Sequence, residues 1–110
     1  IIIFLVGDKM TIQQVIEDKL SHVLMPDFLE VINESGKHNV PSGSESHFRV
    51  TLVAKGFENK RLLERHRIVN KILADELSGG VHALALNTYT ESEWLDRNGD
   101  APLSPPCSNG

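Results

Sequence analysis

Between Thr11 and Leu24 the apolar residues fall at Ile12, Val15, Ile16, Leu20, Val23 and Leu24, three and four positions apart, with Glu17, Asp18, Lys19 and Ser21 between them. That spacing gives a helix with one apolar stripe. Thr11-Ile12-Gln13-Gln14 has the form of a capping box that opens the helix, and Pro26 closes it. The period then shortens. Phe28 to Glu34 reads as a strand of mixed pattern, whereas His47 to Ala54 alternates cleanly, with Phe48, Val50, Leu52 and Ala54 on one face and His47, Arg49, Thr51 and Val53 on the other. The first of these faces is expected in the core, the second largely in solvent. Between the two strands, residues 35–44 are loop by every punctuation rule and carry Lys37 and His38.

Helical spacing returns over Arg61 to Leu77, with Leu62, Leu63, Val69, Ile72, Leu73 and Leu77 expected to turn inward. Gly79-Gly80 is positioned to stop this helix through a left-handed residue. Val81-His82-Ala83-Leu84-Ala85-Leu86 follows as a strand in which His82 shares a face with Leu84 and Leu86. Thr90-Glu91-Ser92-Glu93 is a second capping box, opening a short helix anchored by Trp94 and Leu95. The predicted order is α-β-β-α-β-α. A helix joining two strands makes those strands parallel, and the first two strands pair antiparallel. The fold class is therefore α+β, a three-stranded mixed sheet with two long helices on one face.

A chain of 110 residues with 40% hydrophobic content supports one modest core. Its net charge of −4 means that any contact with nucleic acid or anionic membrane must use a local patch. Cys107 is the single thiol and lies in a Pro/Ser/Gly tail, so no intrachain disulfide forms and a reducing cytoplasm is the expected compartment. The apolar Ile1 to Val6 run is too short to span a bilayer, and no membrane association is expected. Met10 reads as the natural start, which makes 1–9 a non-native or disordered extension, 10–97 the folded domain and 98–110 a disordered tail.

Phosphate loops, zinc-protease helices, Cys-x-x-Cys pairs and nucleophile elbows are all missing from the sequence. Ser46 and His47 are adjacent at a strand start, so alternation points them to opposite faces and rules out a nucleophile and base pair. Two other features remain. The first is basic: Lys55, Lys60, Arg61, Arg65, Arg67 and Lys71 stand against Glu58 and Glu64, a local excess of four positive charges in an acidic protein. Lys60, Arg61 and Arg65 can line up on one helix face for phosphate contact; the alternative is a solvated face with an arginine paired to a nearby acid. The second is the pair His38 and His82, one on the loop and one at a strand mouth. Each is either a histidine satisfied by the fold or a metal ligand. Two ligands do not close a metal site, so any cluster held here needs thiolates from another molecule.

The segment from His38 to Val50 (His38-Asn39-Val40-Pro41-Ser42-Gly43-Ser44-Glu45-Ser46-His47-Phe48-Arg49-Val50), the helix Arg65-His66-Arg67, the strand Val81 to Leu86 and the tail Ser104-Pro105-Pro106-Cys107 together resemble the BolA family, in order and over essentially the whole domain. The resemblance implies a class II KH-like fold. It implies a non-enzymatic regulator of iron, redox and stress signalling and cluster trafficking that partners a monothiol glutaredoxin across a shared 2Fe-2S cluster. His82 and His38 would then be ligands, and the glutaredoxin cysteine and glutathione would supply the thiolates. No cofactor is expected in the isolated chain, which would be a monomer or weak homodimer. The resemblance also implies the alternative of a DNA-binding transcriptional regulator of stress response and cell morphology, contacting promoter DNA through Lys60, Arg61, Arg65, Arg67 and Lys71. One departure from the family is Phe57-Glu58-Asn59-Lys60, where a glycine usually follows the aromatic; Asn59 is the best substitute if the backbone there is left-handed.

Overall fold

The computed structural model describes residues 10–37 and 44–99. Helix α1 (Ile12–Leu24) leads into β1 (Phe28–Asn33) and, after the loop, β2 (His47–Val53). Helices α2 (Leu62–Ile72) and α3 (Ala74–Ser78) connect β2 to β3 (Ala83–Tyr89), and α4 (Glu91–Asp96) follows. The sheet order is β1-β2-β3, antiparallel between β1 and β2 and parallel between β2 and β3. This is the α+β mixed sheet the patterning predicts, with the second helix divided at Leu73. None of the described helices is long and apolar enough to cross a membrane.

Both capping boxes form. The Thr11 hydroxyl accepts from the Gln14 N–H at 3.1 Å and the Gln14 side chain accepts from the Thr11 N–H at 2.9 Å. Thr90 and Glu93 repeat the arrangement at the head of α4. Helix α1 ends on Met25 with φ 44°, and Asn59 adopts φ 64° in the turn before α2, the left-handed backbone its sequence position called for. The glycine pair works differently from expectation. Gly79 has φ −99°, so α3 ends without a left-handed residue; a Cβ there would come within 3.3 Å of the Asp75 carbonyl oxygen.

One core cluster joins Ile16 and Leu20 of α1, Val69 and Leu73 of the second helical segment, Val31, Phe48, Val50 and Leu52 of the sheet, and Ala54, Phe57 and Val81 from the connections. Each of these fully buried side chains, Ala54 apart, contributes about 1.5–3 kcal/mol by leaving water. Val23, Leu62 and Leu63 fall outside it at 61%, 59% and 61% exposure, against the inward positions their spacing suggests. The stripe is narrower than the periodicity, because Val23 lies in the last turn of α1 and Leu62 and Leu63 in the first turn of α2.

The other sheet face is covered, not solvated. Phe28, Val53 and Tyr89 form one row across the three strands. Trp94 of α4 stacks on Phe28 at 5.1 Å and tilts against Tyr89 at 5.3 Å, which places it over the fully buried Val53. Further along, Arg49 and Glu34 form a buried ion pair at 3.0 Å. Leu95 is not the second anchor of α4; it is 68% exposed.

Candidate functional site

Because β2 and β3 run parallel, both strand starts lie at one end of the sheet, and both carry histidine. His47 is the first residue of β2 and pairs in register with Ala83; His82 sits immediately before β3. Their imidazoles lie 6.3 Å apart between centroids, with planes 13° from parallel. His82 is exposed, and neither of its ring nitrogens is hydrogen-bonded among the described residues. Its backbone is fixed instead: the Ser46 carbonyl accepts from the N–H groups of His82 at 2.8 Å and Ala83 at 3.2 Å.

Ser46 is the hub of this end. Its N–H and that of His47 both donate to the Ser35 hydroxyl, at 2.9 and 3.1 Å. Its own hydroxyl lies 2.8 Å from Nδ1 of His47. The expectation that Ser46 and His47 diverge is therefore wrong, since strand alternation does not govern Ser46, which precedes β2. The contact fixes the orientation of the His47 ring beside His82. One residue earlier, Glu45 accepts from the N–H groups of Ile12 and Gln13, both at 3.1 Å, and ties the loop's exit to the positive end of α1. His38, the other predicted ligand, and Cys107 lie outside the described residues.

His47 was missed as a member of this site because its alternation marks it simply as the outer face of a strand. The parallel pairing of the two strands, itself legible, was the signal that would have placed it beside His82.

The basic stretch divides in two. Lys60, Arg61, Arg67 and Lys71 are exposed. Arg65 is not part of that surface: it is 8% exposed, and its guanidinium donates to the Lys60 and Thr88 carbonyls and pairs with both Glu93 oxygens, at 2.6 and 3.1 Å. Four of the five N–H groups of that guanidinium are committed to the fold, so the phosphate-facing set loses its middle member. The hydrogen bond from Arg65, with the Thr90 N–H and the Arg65 charge adding to it, pulls the Glu93 carboxyl down to about 2. Burial, then the neighbouring Arg65 charge, lowers the pKa of His66, whose Nε2 is buried with no partner among the described residues.

Among the described residues, no three His, Cys, Asp or Glu side chains come together to hold a metal ion. The imidazole end offers ring nitrogens, donors of the right kind, but too few of them.

The family model described as BolA-like protein matches residues 20–93. The chain is 57% identical over 99 residues to the DNA-binding transcriptional regulator BolA of Vibrio cholerae, covering 90% of this chain and 93% of the relative, and 53% identical over 98 residues to its Escherichia coli counterpart, covering 89% and 93%. Among solved structures, BolA1 from Mus musculus superposes with a TM-score of 0.76 at 42% identity, covering 96% of this chain and 89% of that one. BolA1 from Arabidopsis thaliana gives 0.72 at 36% identity, covering 77% and 98%. Sequence and backbone agree over nearly the full length of these proteins, and the chain belongs to the BolA-like protein family.

Proposed function

We propose that this chain is a non-enzymatic regulator that shares a 2Fe-2S cluster with a monothiol glutaredoxin, His82 acting as the fixed ligand and His38 as the ligand from the loop. The observation that carries the reading is His82 itself: an exposed imidazole with no hydrogen bond among the described residues, its own N–H and that of Ala83 both held by the Ser46 carbonyl. Exposed on a fixed backbone, the ring can meet a second molecule without any rearrangement of the fold.

The donor set suits such a cluster. Mixed imidazole and thiolate ligation is sound iron-sulfur chemistry, and the thiolates would come from the glutaredoxin cysteine and glutathione. When bound, the cluster supplies sensitivity to iron and oxidant. This chain's own residues orient and present: Ser46 holds the strand starts together, His47 flanks His82, and Glu45 anchors the end of the loop that carries His38. The class II KH-like description belongs to the same reading, as does a cytoplasmic, reducing location and a monomeric or weakly dimeric state without the partner.

Mixing the chain with a monothiol glutaredoxin, glutathione, iron and sulfide tests it. The wild-type chain is expected to give visible absorption and circular dichroism distinct from those of the glutaredoxin alone, and His82→Ala to remove the difference. An unchanged spectrum with His82→Ala overturns the ligand role.

A second reading is favoured by the names of the bacterial relatives, DNA-binding transcriptional regulators. Here Lys60, Arg61, Arg67 and Lys71 contact the phosphates of promoter DNA. Log affinity should then fall linearly with log salt, because binding displaces counterions. A flat response, or no loss on replacing Arg61 and Arg67 with alanine, counts against this reading.

A further inference from the structure

At the far end of the sheet from His82, the start of α2, the end of β3 and α4 border an open groove of about 650 Å³. That volume is in the range that receives a small organic group. Lys60, Arg61 and Leu62 line it from the turn into α2 and its first residue, and Tyr89, Asp96 and Arg97 from the β3–α4 side. Arg65 and Glu93 also border it but neutralise one another through their bidentate pair. Lys60 and Arg61 then stand against Asp96, an excess of one positive charge without counting Arg97. Beside them lie Leu62, exposed at 59%, and the Tyr89 ring, with the Arg97 guanidinium 5.4 Å from its centroid.

Cations and flat apolar surface in one groove suit a ligand with the same division, and an unpaired nucleotide has it: the phosphate takes the charge and the base takes the apolar surface. Duplex DNA does not use such a groove well. Its bases are stacked and paired, so a convex helix meets phosphates and base edges, and Leu62 and Tyr89 gain nothing.

We propose that this groove binds an unpaired nucleotide of single-stranded DNA, its phosphate on Lys60 and Arg61 and its base against Leu62 and the Tyr89–Arg97 pair. The proposal rests on the DNA-binding reading and specifies the form of DNA.

Fluorescence anisotropy with a labelled oligodeoxythymidine and a labelled duplex of the same length, over a salt series, separates the outcomes. The single strand should bind about tenfold more tightly than the duplex, in keeping with one stacked base. Lys60→Ala should reduce the salt slope for the single strand by about 0.7, the loss of one phosphate contact. Leu62→Ser removes no charge and alters an exposed position, so it should weaken single-strand binding about fivefold, leaving the salt slope and duplex affinity unchanged. Wild-type single-strand affinity in Leu62→Ser overturns the groove. Equal or tighter duplex binding also overturns it while the broader DNA-binding reading stands; binding to neither form removes both.

Discussion

The two ends of this sheet are built from the same strands and differ in almost everything else. At the end where β2 and β3 begin, the side chains are His47 and His82, and what holds them is a short web of backbone and hydroxyl hydrogen bonds centred on Ser46. At the end where β2 and β3 finish, Trp94 packs over Phe28, Val53 and Tyr89, and Arg65 clamps α4 to α2 through Glu93. A seven-residue strand separates them by about 20 Å. The first end sets one exposed imidazole, His82, on a backbone held by hydrogen bonds. The second spends its strongest ion pair on holding a six-residue helix in place, which keeps the groove beside it in shape. The glutaredoxin and the single strand proposed above would therefore meet different residues.

The largest effect expected on this comparison comes from Arg65→Ala. It leaves Glu93 without its partner and the Thr88 carbonyl without a donor, and should cost about 3 kcal/mol in urea unfolding. The loss should be felt at the α4 end first, seen as altered Trp94 fluorescence, while cluster formation with glutaredoxin survives under native conditions. Arg65→Lys should recover little, because a single ammonium cannot reproduce the fork that reaches Glu93 and two carbonyls.

Acid should act on the same clamp. The Glu93 carboxyl titrates at about 2 in the folded chain, against an ordinary value of 4.5. Its contribution is complete above pH 4.5 and is lost as pH falls from there towards 2, since the unfolded chain takes the proton first. With the Glu93 side chain 45% exposed, solvent screening reduces that contribution to about 1 kcal/mol. Glu93→Gln should flatten this part of the pH–stability profile; an unaltered profile would mean that the Arg65–Glu93 pair is not what couples α4 to acid.

Ser46→Ala sharpens the contrast from the other end. Removing one hydroxyl that orients His47 should cost about 1 kcal/mol, with the His47 ring 15N shifts moving as its tautomer balance changes. Trp94 fluorescence should stay as in wild type. Smallest of all, Leu95→Ser at an exposed position should change stability by less than about 0.5 kcal/mol. A larger loss would show that α4 is held by more than Trp94 and the Arg65 clamp.

How far these two ends could be read in advance depends on how local the determining physics is. Both capping boxes, the left-handed Asn59 and the mixed pairing of the sheet follow from neighbours within a few residues or from the length of a crossover, and all were legible. The position of Arg65 was not. Its helical neighbours place it in a basic row, but the group that captures it, Glu93, lies 28 residues away and is brought near only when β3 returns beside β2. Burial of Arg49, Thr51 and Val53 was hidden for a related reason: alternation identifies two faces but does not say how much covers the second. At the other end, His82 stood out as an interruption of an apolar strand. His47 did not, because a polar first residue is unremarkable until the parallel register sets it against Ala83 and so beside His82.

The most direct test of the account follows the ring 15N resonances of His82 and the backbone amides of Lys60, Arg61 and Leu62 while the labelled chain is mixed with cluster-loaded monothiol glutaredoxin. Selective broadening or loss of the His82 ring signals, with the three amides unmoved, is the expected result. Complex formation that leaves the His82 ring signals in place would contradict it.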